Sequence, residues 1–180
     1  MRNLSACLVL LLLISSALAD GPGDNVADNG RAVPPVGIEL SDVVRDELDG
    51  GLAELNKKIE QLRESNDLKV QSLLPDVEIF SRAIRDAIAH RELFHKNDIG
   101  KARQVLAEGH ARADALTNRN APWTTQTGLV VRGFKSQIDD TVQPYGVVVP
   151  ESYAFAGASE YRTDVWLHGR GERSTESLFI

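Results

Sequence analysis

The chain is predicted to be an α+β protein, with a helical module first and strands after it. Three observations predict this. Apolar residues recur at spacings of three and four from Val44 to Leu116. β-Branched residues take over after Pro122. Between the two regions, Asn118-Arg119-Asn120-Ala121-Pro122 is a helix-stop signal.

The first residues form an address. Arg2 supplies a positive n-region, Cys7 to Ile14 an apolar h-region, and Ala17-Leu18-Ala19 an A-x-A cleavage site before Asp20. Residues 1–19 are therefore expected to be a signal peptide, and the mature chain secreted or periplasmic. The apolar run is too short for a comfortable transmembrane helix, and no later segment is apolar enough to span a bilayer. Leu4-Ser5-Ala6-Cys7 has the form of a lipobox but precedes the h-region, where that signal has no meaning. Cleavage removes the only cysteine, so disulfides, thiolate–zinc sites and a cysteine nucleophile are excluded from the mature chain. The formal charge moves from −6 to about −7 with the loss of Arg2. An acidic chain without a basic stripe is not expected to bind nucleic acid.

Residues 20–40 read as a flexible linker, since Gly, Pro, Asn and Asp dominate and no periodicity buries a face. The helical module is expected over 41–122. Ser41 is the predicted cap of a first helix, and Asp42 lies in its first turn, where the helix dipole favours negative charge. Val44, Leu48, Leu52, Leu55, Ile59 and Leu62 form its apolar stripe. Gly50-Gly51 is expected to kink or split it. Pro75-Asp76 opens a second helix, with Val77, Phe80, Ile84, Ala87 and Ile88 facing inward. Phe94-His95-Lys96-Asn97 breaks the pattern. A third helix follows, with Asn97 or Asp98 as its cap and Ile99, Ala102, Leu106, Ala113 and Leu116 on its inner face. The last two helices make an αα-hairpin.

Residues 123–180 read differently. Thr124 to Lys135 is expected to be a strand, Asp139-Asp140 a turn, and Gln143 to Pro150 the second arm of a hairpin. Tyr161 to Leu167 is expected to be a third strand. Its end, Val165-Trp166-Leu167, is a continuous apolar run of the kind that suits a strand covered on both faces. Ser174 to Ile180 begins a further helix.

The chemistry-bearing motif is Asp164-Val165-Trp166-Leu167-His168-Gly169-Arg170-Gly171-Glu172, an apolar strand running into a His-Gly turn. Acyl transfer develops negative charge on a carbonyl oxygen, and each preorganised backbone N–H stabilises it by roughly 3–4 kcal/mol. Glycines let a strand end aim such donors at one point. No other pattern competes. His90, Glu92 and His95 lack the H-E-x-x-H spacing that puts two histidines on one helix face, and no metal site is expected. His110 is expected at the surface or boundary. Asp139-Asp140 needs no cation to explain it in a turn. No phosphate loop or dinucleotide fingerprint is present, so no cofactor is expected.

Two linked stretches carry a resemblance. They are Gln143-Pro144-Tyr145-Gly146-Val147-Val148-Val149-Pro150-Glu151-Ser152-Tyr153 and Tyr161 through Glu172. They resemble the start of the catalytic domain of secreted prolyl-oligopeptidase-like and polyhydroxybutyrate-depolymerase-like esterases of the α/β-hydrolase superfamily. Trp123 to Gly133, preceded by helices, is similar to the N-terminal module of large secreted hydrolases of this kind. The resemblance covers about residues 75–180. It implies that residues 123–180 are the first strands of an α/β-hydrolase sheet, incomplete within this chain. It also implies an oxyanion loop at His168, Gly169, Arg170 and Gly171, with the donor in the Gly169–Gly171 backbone. Arg170 stands where the HGGG form has glycine. The family's G-x-S-x-G elbow is absent from the 180 residues, and Ser174 and Ser177 lie in no such turn. No catalytic residue is thus expected to be present. The expected function is the N-terminal fragment of a secreted serine hydrolase, acting on an ester or peptide substrate in the full-length family and inactive alone. The alternative is a complete, non-enzymatic secreted α+β interaction module.

Overall fold

The computed structural model describes residues 35–157, 160–167, 171 and 173–180. The expected signal peptide and the linker up to residue 34 lie outside the described residues. Helix α1, Asp42–Arg63, begins at Ser41, whose hydroxyl accepts from Val44 N at 3.4 Å. It buries Leu48, Leu52, Leu55, Ile59 and Leu62, the stripe predicted from spacing. It is not split at Gly50-Gly51. Gly51 faces Leu106, whose Cδ2 fills the space a side chain would need.

A short helix, α2 (Leu68–Leu73), was not anticipated. Six residues are too few to show a period, but Asp67 caps it, its carboxylate accepting from Lys69 N at 2.9 Å. Pro75 then opens α3, Pro75–Ala89, at the position where a missing N–H costs nothing. This helix is the centre of the molecule. Val77, Ile79, Phe80, Ala83, Ile84 and Ala87 are all buried, more than one stripe, because other elements pack around it.

Helix α4, Lys96–Thr117, starts at His95 rather than at Asn97 or Asp98. Asp98 reaches back instead, and its Oδ2 accepts from Phe94 N and His95 N, both at 2.8 Å. The helices pair as α3 on α4, with α1 against both. At their meeting point Gly109 lets α4 approach Phe80 and Leu55 closely.

The end of the expected linker is anchored. Gly37 N donates to Arg91 O at 2.8 Å and Ile38 N to Leu93 O at 2.7 Å, so this stretch pairs with the turn after α3.

Beyond α4, Pro122–Thr125 is a 3₁₀ turn that buries Trp123, so the expected strand begins only at Gly128. Strands β1 (Gly128–Lys135) and β2 (Val142–Val149) form a two-stranded antiparallel sheet, with Gly128 opposite Val149 and Lys135 opposite Val142. Asp139-Asp140 is in the turn, with Asp140 at φ 58°. The sheet lies against α3, and Val130 joins the core.

The expected third strand does not form. Tyr161–Leu167 carries no ladder, and Val165, Trp166 and Leu167 are 80, 88 and 88% exposed. An apolar run is buried only where a neighbour covers it, and no described element does. Helix α5, Glu176–Phe179, follows and packs on α3 and α4. The architecture is thus a mixed α+β arrangement with a helical N-terminal part and one antiparallel hairpin.

Candidate functional site

Of the expected oxyanion-loop residues, His168, Gly169 and Arg170 lie outside the described residues. Gly171 is described. It is exposed, and its N–H donates to Ser174 Oγ at 2.7 Å. A backbone donor in this turn therefore holds a hydroxyl oxygen. Ser174 itself meets no histidine in the described contacts, and Ser177 is buried beside Thr175, their hydroxyls 3.3 Å apart.

The histidines are dispersed. His95 Nε2 lies 2.8 Å from Arg173 Nη1, and that guanidinium stacks 5.5 Å from the Phe94 ring centroid. His110 Nε2 lies 3.0 Å from Gly51 O, joining α4 to α1. His90 is exposed and acts electrostatically on Glu92, whose carboxyl is held above the usual range mainly by burial. Among the described residues no cluster of histidine, cysteine, aspartate and glutamate could hold a metal ion. No helix among them is long and apolar enough to cross a membrane.

Among the described residues, two of the open grooves stand out by position. One, about 510 Å³, lies between Val44 and the first turns of α4. The other, about 410 Å³, lies between α4 and α5, with Phe80 and Val105 at its base.

Sequence reading missed the most elaborate polar centre. Asp76, in the first turn of α3, is 1% exposed. Its Oδ1 accepts from Gly133 N at 2.7 Å and Arg132 Nε at 3.0 Å. Its Oδ2 accepts from Trp123 Nε1 at 2.9 Å and from Arg132 Nε at 2.9 Å. Arg112, also buried, stacks between the rings of Phe80 and Trp123, at 4.8 and 5.1 Å from their centroids. It donates to Val131 O at 2.8 Å and pairs with Glu108 at 2.9 Å. A carboxylate with both oxygens filled has no lone pair directed at a substrate, so this centre's chemistry is structural. It also closes one sheet edge, because Asp76 and Arg112 take the outward Gly133 N–H and Val131 C=O of β1. The only advance signal was Asp76 itself, an acid at a helix N-terminus. Its partners lie 47 and more residues away, with no motif to join them.

Compared with known protein families, curated proteins and solved structures, the chain matches none.

Proposed function

We propose that this chain is the N-terminal part of a secreted serine hydrolase of the α/β-hydrolase superfamily. The observation that carries the reading is Val165-Trp166-Leu167. Three consecutive large apolar side chains stand 80–88% exposed outside any helix or strand, and His168-Gly169-Arg170-Gly171 follows them directly in sequence. Fully burying one such side chain is worth roughly 1.5–3 kcal/mol. A run of three left in water is a surface made to be covered. As a strand of a parallel-type sheet it would pair with further strands at its edges and be covered on both faces by crossover helices.

In that setting the His168–Gly171 turn sits at the strand's end. Its backbone N–H groups would receive the oxyanion formed when a serine attacks an ester or amide carbonyl. The attack needs a serine in a G-x-S-x-G elbow, which residues 1–180 do not contain, with the proton-transferring histidine and its orienting acid following later in the family's order. The helical module and hairpin then serve as the scaffold that precedes the catalytic sheet.

The test is a fluorophosphonate probe applied to the 180-residue chain and to a longer chain translated through the next G-x-S-x-G in the same gene. Labelling of the longer chain alone supports the reading. Labelling of the 180-residue chain, or no such elbow downstream in any frame, rejects it.

One observation favours a second reading, a non-enzymatic secreted interaction module. The Asp76 centre fastens the hairpin to the helices and closes the β1 edge without any further strand. A clean stop after Ile180 with unrelated sequence beyond it, together with cooperative unfolding, would favour that reading.

A further inference from the structure

Helix α5 docks on α3 through a carboxylate set between buried hydroxyls. Thr175 and Ser177 are 6 and 4% exposed, and Glu176 lies between them with its side chain 21% exposed. Glu176 Oε1 is 2.9 Å from Arg82 Nη2. Its Oε2 is buried and accepts no hydrogen bond from the described residues. Arg82 is shared. It also donates to the Val142 carbonyl of β2 and pairs with Asp86 Oδ2 at 3.3 Å. Asp86 Oδ1 in turn holds Arg85 Nε at 2.9 Å.

The charged groups acting on Glu176 come from α3 and the turn after it. Helix α3 supplies Arg82, Arg85 and Asp86. The turn after it supplies Glu92, which itself faces His90 and Asp86. Helix α4 places Lys101 and Glu108 along the neighbouring groove of about 410 Å³, which Ser177 and Ile180 also line. Close to Glu176 the two guanidiniums of Arg82 and Arg85 are matched by the two carboxylates of Asp86 and Glu92, and its Oε2 is buried without a donor among the described residues. An ionised carboxylate in that position is a strained occupant.

We propose that α5 is a proton-operated latch, closed on α3 when Glu176 is protonated and loosened when Glu176 ionises, uncovering Phe80 and Val105 at the base of the groove. Burial raises the Glu176 carboxyl above its ordinary value; Arg82 opposes this, and Asp86 and Glu92 add to it. Because the folded-state value is raised, the stabilisation of the docked state is complete below the ordinary carboxylate range. It is lost as pH rises through the raised value. Mild acid therefore tightens the latch. The latch is independent of the hydrolase reading.

The experiment is amide hydrogen exchange of residues 176–180 in the 180-residue chain, corrected for intrinsic rates, between about pH 4 and 8. It compares the wild type with Glu176→Gln and Glu176→Ala. Wild-type protection is expected to fall several-fold as pH rises, while Glu176→Gln stays at the acid-side level throughout. Glu176→Ala, which lacks the polar head, controls for packing and is expected to be flat with pH. A flat wild-type profile overturns the proposal. So does wild-type protection that rises with pH, or a Glu176→Gln variant that is loose at every pH, since each would mean that the ionised pair with Arg82 holds the helix.

Discussion

The indole N–H of Trp123 donates to Asp76 Oδ2 at 2.9 Å, inside the core and across 47 residues of chain. This bond sets the 3₁₀ turn after α4 against the first turn of α3. Arg132 and Gly133 meet the same carboxylate, so the hairpin inherits its position from one residue. The arrangement stabilises only as a set. Desolvating the carboxylate is costly, and its donors offset that cost because every one of them is in place.

Asp76→Ala should therefore cost about 3–5 kcal/mol, the range for breaking a buried pair and leaving its partner charged. Trp123→Phe, which removes one donor and keeps the ring's packing, should cost about 1–3 kcal/mol. Urea unfolding followed by circular dichroism measures both. A loss below about 1 kcal/mol for Asp76→Ala would mean that the hairpin is held by its apolar contacts instead.

The glycines of the helices should split by what surrounds them. A Cβ at Gly109 would lie 2.7 Å from Phe80 Cβ and 2.8 Å from Leu55 Cδ2, so Gly109→Ala forces α4 away from α3 and α1. Overpacking of this kind costs about 1–3 kcal/mol. A Cβ at Gly50 meets nothing within 4 Å, so Gly50→Ala should gain about 0.5–1 kcal/mol from helix propensity alone. Opposite shifts in the thermal midpoint confirm the packing; shifts of the same sign contradict it.

These residues also show what sequence can and cannot reveal. The stripe of α1, the Pro75 start of α3 and the Asp139-Asp140 turn were legible because period and turn chemistry are local. Gly50-Gly51 does not split α1, and the space beside Gly51 is filled by Leu106, from 55 residues away in α4. Val165-Trp166-Leu167 misled because a continuous apolar run specifies the need for cover and says nothing of its source. The Asp76 centre was invisible because its partners share no spacing. At the candidate loop, sequence named His168 to Gly171, and structure describes Gly171 alone.

Glu92 supplies a pH-dependent prediction. Burial raises its carboxyl, the charge on His90 opposes this, and Asp86 adds to it. A raised folded-state value means that its favourable contribution is complete below the ordinary carboxylate range and is lost as pH climbs through the raised one. Glu92→Gln should thus be more stable than the wild type at neutral pH, with the two converging in acid. Urea midpoints at several pH values decide it, and a variant less stable at neutral pH would reverse the assignment.

The two tryptophans give an optical test of the exposed segment. Trp123 is 4% exposed and Trp166 is 88% exposed. Trp166→Phe leaves only the buried indole, so its emission should be blue-shifted and resist acrylamide. Trp123→Phe leaves only the exposed one, with red-shifted emission and strong quenching. The folding cost of losing the Asp76 bond is separated by checking that the circular dichroism of Trp123→Phe is native. In a longer chain that supplies the neighbouring strands and the helices that cover them, Trp166 should shift to the blue and lose its quenching, because the same apolar run would then lie in a sheet buried on both faces. Persistent quenching of Trp166 in the longer chain would count against Val165-Trp166-Leu167 as a strand of a hydrolase core, whatever the fate of the loop that follows it.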